Sequence, residues 1–424
     1  MRKKTVITLA VIIVVFLCVS AIGIYMYGPF ETLGSFEKYD NDDVKYLRSA
    51  ETLIKAGKFT YKYVDQSTVF IMPGLTLVLV PFVALFGQAG AVLPFKIFQA
   101  LLSAISIVLV YLIGKKVGGR RRIGILSAGL SLFYIAEYFA MNVVLTEVIF
   151  RFLFLLLVNL LLVAFSSKRM LHYCLAGIVW SSMIMFRPTA GLIPFVVLVI
   201  WIIKKYTLKE MFKFGLAVSL IFLIVISPWW IRNYQTFGKF IPLTLSSGNP
   251  MLQGTYFNYE NSEEENAIME SVSPFIYYGN DEITTDQIEL DYAKLRVSTM
   301  FSHYPLKYTY WYTIGKTLHQ WATPYVWASM FGLSYKSIFS AHLFYVFAFI
   351  VSVIAYILDK KRRNSAGAFL LLLVIYFNCI HLPYYAFSRY VYPVMPFMFV
   401  FISCFVNKIW NRFTYRNRSS VSKV

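Results

Sequence analysis

Charge is what this chain has least of. Asp, Glu, Lys and Arg together make up 14% of its 424 residues, and the acids number only 21 against 40 basic residues. With so few charges a soluble domain cannot hide a 58% hydrophobic composition from water, and the mean hydropathy of +0.62 points the same way. Cysteine is scarce too: Cys18, Cys174, Cys379 and Cys404 lie in or beside apolar runs without C-x-x-C spacing. That argues against a disulfide framework or a zinc site and predicts four small core hydrophobes. His303, His319 and His381 have no i, i+4 partner, so no histidine metal site is expected. The sequence also lacks a repeat of solenoid period, a low-complexity tract, and the two matching halves of an inverted-repeat transporter.

Long apolar runs are plentiful. The first, "TVITLAVIIVVFLCVSAIGIYM" (Thr5 to Met26), follows Arg2, Lys3 and Lys4. It is too long for the core of a signal peptide and has no small-x-small cleavage site, so it predicts a retained anchor with a cytoplasmic N-terminus. Hydrophobic length and the positive-inside rule together place about ten membrane helices, near 5–26, 94–113, 123–140, 148–165, 171–186, 188–203, 214–230, 338–358, 366–382 and 391–406. The aromatic content of 18%, with 31 Tyr and 38 Phe, suits helices whose ends sit in the headgroup layer.

The net charge of +19 could point to nucleic acid, but its distribution says otherwise. In this topology the N-terminus, "GKKVGGRRR", "SSKRM", "KKYTLKEMFK", "DKKRRN" and the C-terminal tail are cytoplasmic, and they hold more than half of the basic residues with only Glu210 and Asp359 as acids. The positive excess therefore sets orientation and meets anionic membrane lipid, which leaves no nucleic-acid footprint. Both termini are expected in the cytoplasm.

"GLTLVLVPFVALFG" (Gly74 to Gly87) looks like a further span, yet it is short of the roughly 20 residues a crossing needs and carries Pro81. Were it to cross, "GKKVGGRRR" would lie outside. A first external region, 27–93, is therefore expected along the membrane surface. Within it "DDVKYLRSAETLIKAG" reads as a helix lying flat, with Val44, Leu47, Ala50 and Ile54 on one face toward lipid, Asn41 or Asp42 as the cap and Gly57 at the close. The region 231–337 is the one sizeable polar part, with a helix expected over Thr285 to His303. The expected architecture is an all-α polytopic membrane protein: a module over 1–230, a polar external region over 231–337, and C-terminal helices with a basic tail over 338–424.

The order of "DDVKYLRSAETLIKAG", "MPGLTLVLVPFVALFG", "RPTAGLIPF", "SPWWIRNYQTFGKFIPLT" and "HLPYYAFSRYVYPVMPFM" resembles the membrane glycosyltransferases of the GT-C fold. The nearest branch contains the protein O-mannosyltransferases and the lipid A aminoarabinose transferase. The resemblance covers nearly the whole chain and rests on order and spacing. It implies a GT-C-like bundle with surface helices, and transfer of a sugar from a polyprenyl-phosphate carrier to an acceptor on the outer face.

By that resemblance Asp42 is the catalytic carboxylate, Asp43 is the second catalytic acid of the pair although relatives carry Glu there, and Tyr46 completes the motif on the substrate side. Pro73 and Gly74 replace the usual double proline. No acid directly precedes them, Asp65 being the nearest, so the metal-binding acid of some relatives has no clear counterpart; a divalent cation on Asp42 and Asp43 is one possible cofactor. Arg389 resembles the phosphate-binding position and Tyr390 follows it as in relatives, while Glu147 matches an acid near the sugar.

The chemistry agrees with these residue types. A sugar on a phosphate has a good leaving group, so the reaction needs a base beside the acceptor and a cation on the phosphate, for which the planar fork of Arg is suited. Plainer readings stand beside each assignment. Asp42 can be a helix cap with Asp40 tuning charge, Arg389 can snorkel at a helix end, and Glu147 can be an interfacial acid. Arg187 and Arg232, next to Pro188 and Pro228, serve structure or donor equally well. Lys316 and His319 fall on a surface helix that could meet the carrier head group.

Two other functions compete. A lipid-linked glycan flippase needs ionisable residues along a path through the spans, and the spans here are nearly free of them, with Glu137, Glu147 and Arg151 near outer ends. An O-antigen polymerase or ligase would also act on polyprenyl-linked sugar, but relies on arginines and histidine in a large late loop.

Overall fold

The structure, a computed structural model, describes residues 3–273, 281–360 and 363–421. Of the basic segments expected in the cytoplasm, Arg2, Lys361, Arg362 and Lys423 lie outside the described residues. The described chain is helical throughout, with one isolated bridge between Met330 and Leu333. It begins with α1 (Lys3–Tyr27), α2 (Asp42–Ala56), α3 (Gly74–Gly90) and α4 (Val92–Gly118). Then come α5 (Arg121–Ser131), α6 (Ile135–Ala140), α7 (Glu147–Ser167), α8 (Met170–Ile184), α9 (Ile193–Ile203) and α10 (Leu208–Phe237). The polar region supplies α11 (Gly248–Gly254), α12 (Glu263–Val272), α13 (Glu282–His303), α14 (Pro305–Tyr310) and, after a π-helical turn, α15 (Lys316–Ala322). The chain closes with α16 (Tyr335–Leu358), α17 (Ser365–Cys379), α18 (Ser388–Val391) and α19 (Pro396–Val421).

Among the described residues α1, α4, α7, α10 and α16 are long and apolar enough to cross a membrane, and Ser388–Val394 with Pro396–Arg412 forms a sixth, broken candidate. The other runs expected to span are helical too, but shorter. The protein is thus a multi-pass membrane protein. Two expected spans are interrupted. Over 123–140 the helix stops at Ser131 and restarts as α6, where Tyr138 donates to the Leu132 carbonyl (2.9 Å) and the turned helix brings Glu137 to Arg151 inside the bundle. The last span bends by 52° ahead of Pro396, because a proline ring clashes with the preceding turn and brings no N–H to the ladder.

α2 is formed as its sequence dictates: the Asn41 side chain accepts from the Asp42 N–H (2.7 Å), and Gly57, at φ 63°, closes it in the left-handed conformation. Its apolar stripe, however, does not face lipid. Val44, Leu47 and Ala50 are fully buried and α2 packs on α3, which leaves only Ile54 of the four exposed. α13 starts three residues before the expected Thr285, because Asp281 caps it by accepting from the N–H groups of Ile283 and Thr284 (2.9 Å each). The cysteines are not core residues: Cys18 and Cys379 are exposed and the other two half-buried.

The core lies among α4, α5, α7, α17 and α19, where Phe154 packs on Phe377 and Phe397 with ring centroids 5.1 and 5.6 Å apart. Lipid tails are as apolar as these rings, so close packing rather than escape from water holds the bundle together. The start of α3 is tied to it by a backbone bond. Gly74 donates its N–H to the Met185 carbonyl at 2.7 Å, and a Cβ there would lie 2.5 Å from that oxygen. A second proline at this position would lose the bond and collide with the carbonyl, which accounts for the departure from the double proline.

Candidate active site

The start of α2 sends its two acids in opposite directions. Asp43 turns inward, fully buried, and accepts from the backbone N–H groups of Leu33, Gly34 (3.2 Å) and Val44 (2.8 Å). Burial lifts its pKa while these amides pull against the rise. With Asp43 holding the incoming loop to the helix, Asp42 is left on the open side, its side chain 41% exposed. Its Oδ1 accepts from the Tyr61 hydroxyl at 2.7 Å. Burial, and then the charge of Asp42, holds that hydroxyl far above the usual phenol range, so Tyr61 acts as a fixed donor that aims the carboxylate.

Arg389 meets Asp42 from the other end of the chain. Carried on α18, its Nη1 lies 3.6 Å from Asp42 Oδ2 and its Nε 3.9 Å from Glu147 Oε1. Glu147 is buried at the first turn of α7 and is also paired with Arg187, which donates to Thr146 Oγ1 at 2.8 Å. The order across the site is therefore Asp42, Arg389, Glu147, Arg187. Two guanidiniums and two carboxylates neutralise each other, and only Asp42 is substantially open to solvent.

Aromatic rings wall this row. Tyr46 packs on Tyr61 (5.2 Å between centroids), and its pKa is raised by burial and then by Asp42. Tyr390 stacks on His381 (4.7 Å) and lies beneath both guanidiniums, Arg389 at 5.4 Å and Arg187 at 5.7 Å from its centroid. Tyr325 is buried beside Glu147, and Trp327, exposed at 46%, faces Arg389 at 5.8 Å.

The structure thus gathers Asp42, Tyr46, Glu147, Arg389 and Tyr390 of the expected site residues and adds Arg187. It does not bring Asp43, Lys316 or His319 to the row. The buried amine of Lys316 donates to the Leu382 carbonyl (2.7 Å) over the Tyr312 ring, and His319 sits between Tyr259 and Trp311. Burial lowers the Lys316 amine to about 7 and keeps the His319 ring toward its neutral form. Both fasten α15 to its neighbours. Asp40 accepts from the Ser35 N–H in a local turn, and Arg232 donates to the Thr68 carbonyl (2.8 Å), a structural role. Sequence reasoning missed Tyr61, Thr146 and Tyr325. Thr146 was signalled by adjacency to Glu147, whereas nothing separates Tyr61 from the other tyrosines of its segment.

A divalent cation fits this donor set poorly. Asp43 is committed to backbone amides and Glu147 to two guanidiniums, so Asp42 is the one carboxylate with an open face. Among the described residues no group of three or more His, Cys, Asp and Glu converges. An apolar cleft of about 300 Å³ opens between α1 and α4, lined by Leu17, Ile24, Pro29, Leu93, Ile97 and Leu101.

Comparison with solved structures decides the fold. The oligosaccharyltransferase AglB from Archaeoglobus fulgidus, in complex with an inhibitory peptide and a dolichol-phosphate, superposes over 99% of this chain with a TM-score of 0.54 at 12% identity. Its apo form gives a TM-score of 0.57, again at 12% identity over 99% of this chain. The fold is the GT-C glycosyltransferase fold. This chain spans about half the length of that enzyme, 52% in both structures. A further crystal structure of that enzyme is a complex with Zn and sulfate. ArnT from Cupriavidus metallidurans bound to undecaprenyl phosphate is more distant, with a TM-score of 0.44, 14% identity, and 95% of this chain against 78% of that one. By sequence, residues 73–231, less than half of the chain, match the family described as dolichyl-phosphate-mannose-protein mannosyltransferase. No curated protein matches the sequence. Within the GT-C frame the Asp42 and Arg389 row occupies the junction of a surface helix with the broken last span.

Proposed function

We propose that this protein is an inverting glycosyltransferase that takes a sugar from a polyprenyl-phosphate donor and places it on an acceptor at the outer face of the membrane. The observation that carries the proposal is the placement of Arg389 between Asp42 and Glu147, with Asp42 the open member of the row. Arg389 binds the donor phosphate through its planar fork, and Arg187 adds positive charge behind Glu147. Asp42 takes the proton of the acceptor hydroxyl or amine as that atom attacks the anomeric carbon from the face opposite the phosphate. The bond from the anomeric carbon to the phosphate oxygen breaks, its electron pair stays on the phosphate, and Arg389 balances that charge as it builds. Tyr61 keeps Asp42 aimed, and the aromatic wall lowers the local dielectric and strengthens each of these interactions.

In this reading both termini are cytoplasmic, and the polar region with α11 to α15 covers the site from outside. A flippase reading is disfavoured because ionisable groups buried in the bundle are tied off rather than lining a path: Glu137 and Arg151 pair with each other, and Lys96 of α4 donates to the Gly28 carbonyl. The test is to incubate the purified protein with a panel of polyprenyl-phosphate sugars and follow the released polyprenyl phosphate. Release with at least one donor, abolished by Asp42→Asn, is expected. No release and no thermal shift across the panel sinks the reading.

A further inference from the structure

Within the core of the bundle lies a buried group of charges that the mechanism does not use. Glu137 on α6 and Arg151 on α7 form an ion pair whose side chains are each only 3% exposed. Arg151 Nη2 donates to Ser103 Oγ of α4 at 3.2 Å, and the Tyr392 hydroxyl donates to Glu137 Oε2 at 3.1 Å. The Arg151 guanidinium lies 4.9 Å from the Tyr392 ring centroid. Four chain segments thus converge on one polar knot inside an otherwise apolar bundle.

Stability does not explain the knot. A buried ion pair repays its desolvation only when every polar atom is satisfied, and apolar replacements of such pairs are often neutral or stabilising. Here Glu137 Oε1 and Arg151 Nε are buried without a partner. Location explains it better. Arg151 stands four residues after Glu147, one turn further along the same face of α7. Tyr392 stands three residues after Arg389, at the start of the 3-10 turn Tyr392–Val394 in the broken span. The two halves of the site, Glu147 and Arg389, are carried on the same two elements that the knot fastens together. Tyr392 also packs on Tyr325 (5.4 Å), which packs on Trp327 (5.2 Å), the ring that faces Arg389.

We propose that Glu137, Arg151 and Tyr392 form a positioning device that sets the turn between α18 and α19 against α7 and so holds Arg389 in register with Glu147 and Asp42. The inference rests on the reading of Arg389 as the phosphate-binding group. Glu137 and Tyr392 touch no substrate in this scheme; they act through Arg389. An unfastened turn lets the guanidinium leave its place in the row, and affinity for the phosphate falls although every residue of the row is intact.

The probe is undecaprenyl phosphate, added to the full-length protein in detergent with affinity and melting temperature measured together. Tyr392→Phe deletes one hydroxyl and is expected to weaken binding about 5- to 20-fold while the melting temperature moves by no more than about 3 °C. In an Arg389→Ala background the same change is expected to cost nothing further, because the group it positions is gone. Ser103→Ala, the milder change, removes the support of Arg151 and is expected to weaken binding about 2- to 3-fold. Unchanged affinity in both single variants overturns the inference, and so does an equal loss with and without Arg389. If the unsubstituted protein binds no undecaprenyl phosphate, the phosphate reading falls and this inference with it.

Discussion

Asp42 and Arg389 stand 3.6 Å apart although one opens the first surface helix and the other begins the last, broken span. A carboxylate that serves as base must be ionised and open to the acceptor, and the exposure of Asp42 at 41% meets the second need. Asp42→Asn keeps the shape and the Tyr61 hydrogen bond but cannot take a proton. The expected outcome is a fall in turnover on the order of 10²- to 10⁴-fold with donor affinity largely kept, read by steady-state kinetics on the active donor. Tyr61→Phe, which only frees the carboxylate to rotate, is expected to lose far less.

Arg389 should behave in the opposite way. In the proposed mechanism its loss removes charge-assisted hydrogen bonds to the donor phosphate, so Arg389→Ala is expected to weaken donor affinity by about 10- to 100-fold or more and to lower turnover as well. Arg389→Lys restores the charge but not the planar fork and should recover only part of the loss. Binding titrations of the two variants with polyprenyl phosphate check this. Equal behaviour of Lys and Arg would show that a point charge suffices.

Asp43 predicts a stability effect rather than a chemical one. Its carboxylate is the acceptor for three backbone amides that hold the 33–34 loop to α2. Asp43→Ala strands those buried donors and is expected to destabilise by about 1–3 kcal/mol, seen as a lower melting temperature in detergent. Asp43→Glu, the change toward the pattern the resemblance implies, adds a methylene to a fully buried site and should also destabilise. Turnover per folded molecule should survive better in both than in Asp42→Asn.

Much of this fold was legible in the sequence because its determinants are local. Hydrophobic length marked the helical runs, and a cap at Asn41 or Asp42 with Gly57 at the close delimited α2 to within a residue, the structure choosing Asn41. What misled was the environment of a face. The stripe of Val44, Leu47 and Ala50 carries the same period whether it meets lipid or α3, and the sequence does not distinguish them. The site divides in the same way. Asp42, Glu147 and Arg389 came from motif order, but the inward turn of Asp43 depends on the Leu33 and Gly34 amides, and the place of Tyr61 depends on a long loop that folds back over α2. The Glu137 and Arg151 pair was visible as charge within apolar runs, whereas its link to Tyr392 is a tertiary contact between distant segments.

Gly74 offers a test of a departure from the resemblance. Changing it to proline would restore the double proline, yet it would also delete the N–H bond to the Met185 carbonyl (2.7 Å) and press ring atoms against that oxygen. Gly74→Pro is therefore expected to destabilise by about 3 kcal/mol or more and to reduce the yield of folded protein. Gly74→Ala keeps the N–H but not the space and should also destabilise. Size-exclusion profiles and melting curves of the two variants beside the parent decide it.

Lys316 predicts the pH dependence. Burial lowers its amine from 10.5 to about 7, so between those two values the unfolded chain binds a proton that the folded protein does not. Stability must then rise with pH across that window, by at most about 1.4 kcal/mol per pH unit from this group. Below pH 7 the amine is charged in both states, and its contribution is flat at its least favourable level. Melting temperatures from pH 6 to 9 should therefore climb more steeply in the parent protein than in Lys316→Met, which fills the space over Tyr312 without a titrating group. Parallel curves for the two proteins would mean that the Lys316 amine stays charged in the fold, held by the Leu382 carbonyl and the Tyr312 ring despite its burial.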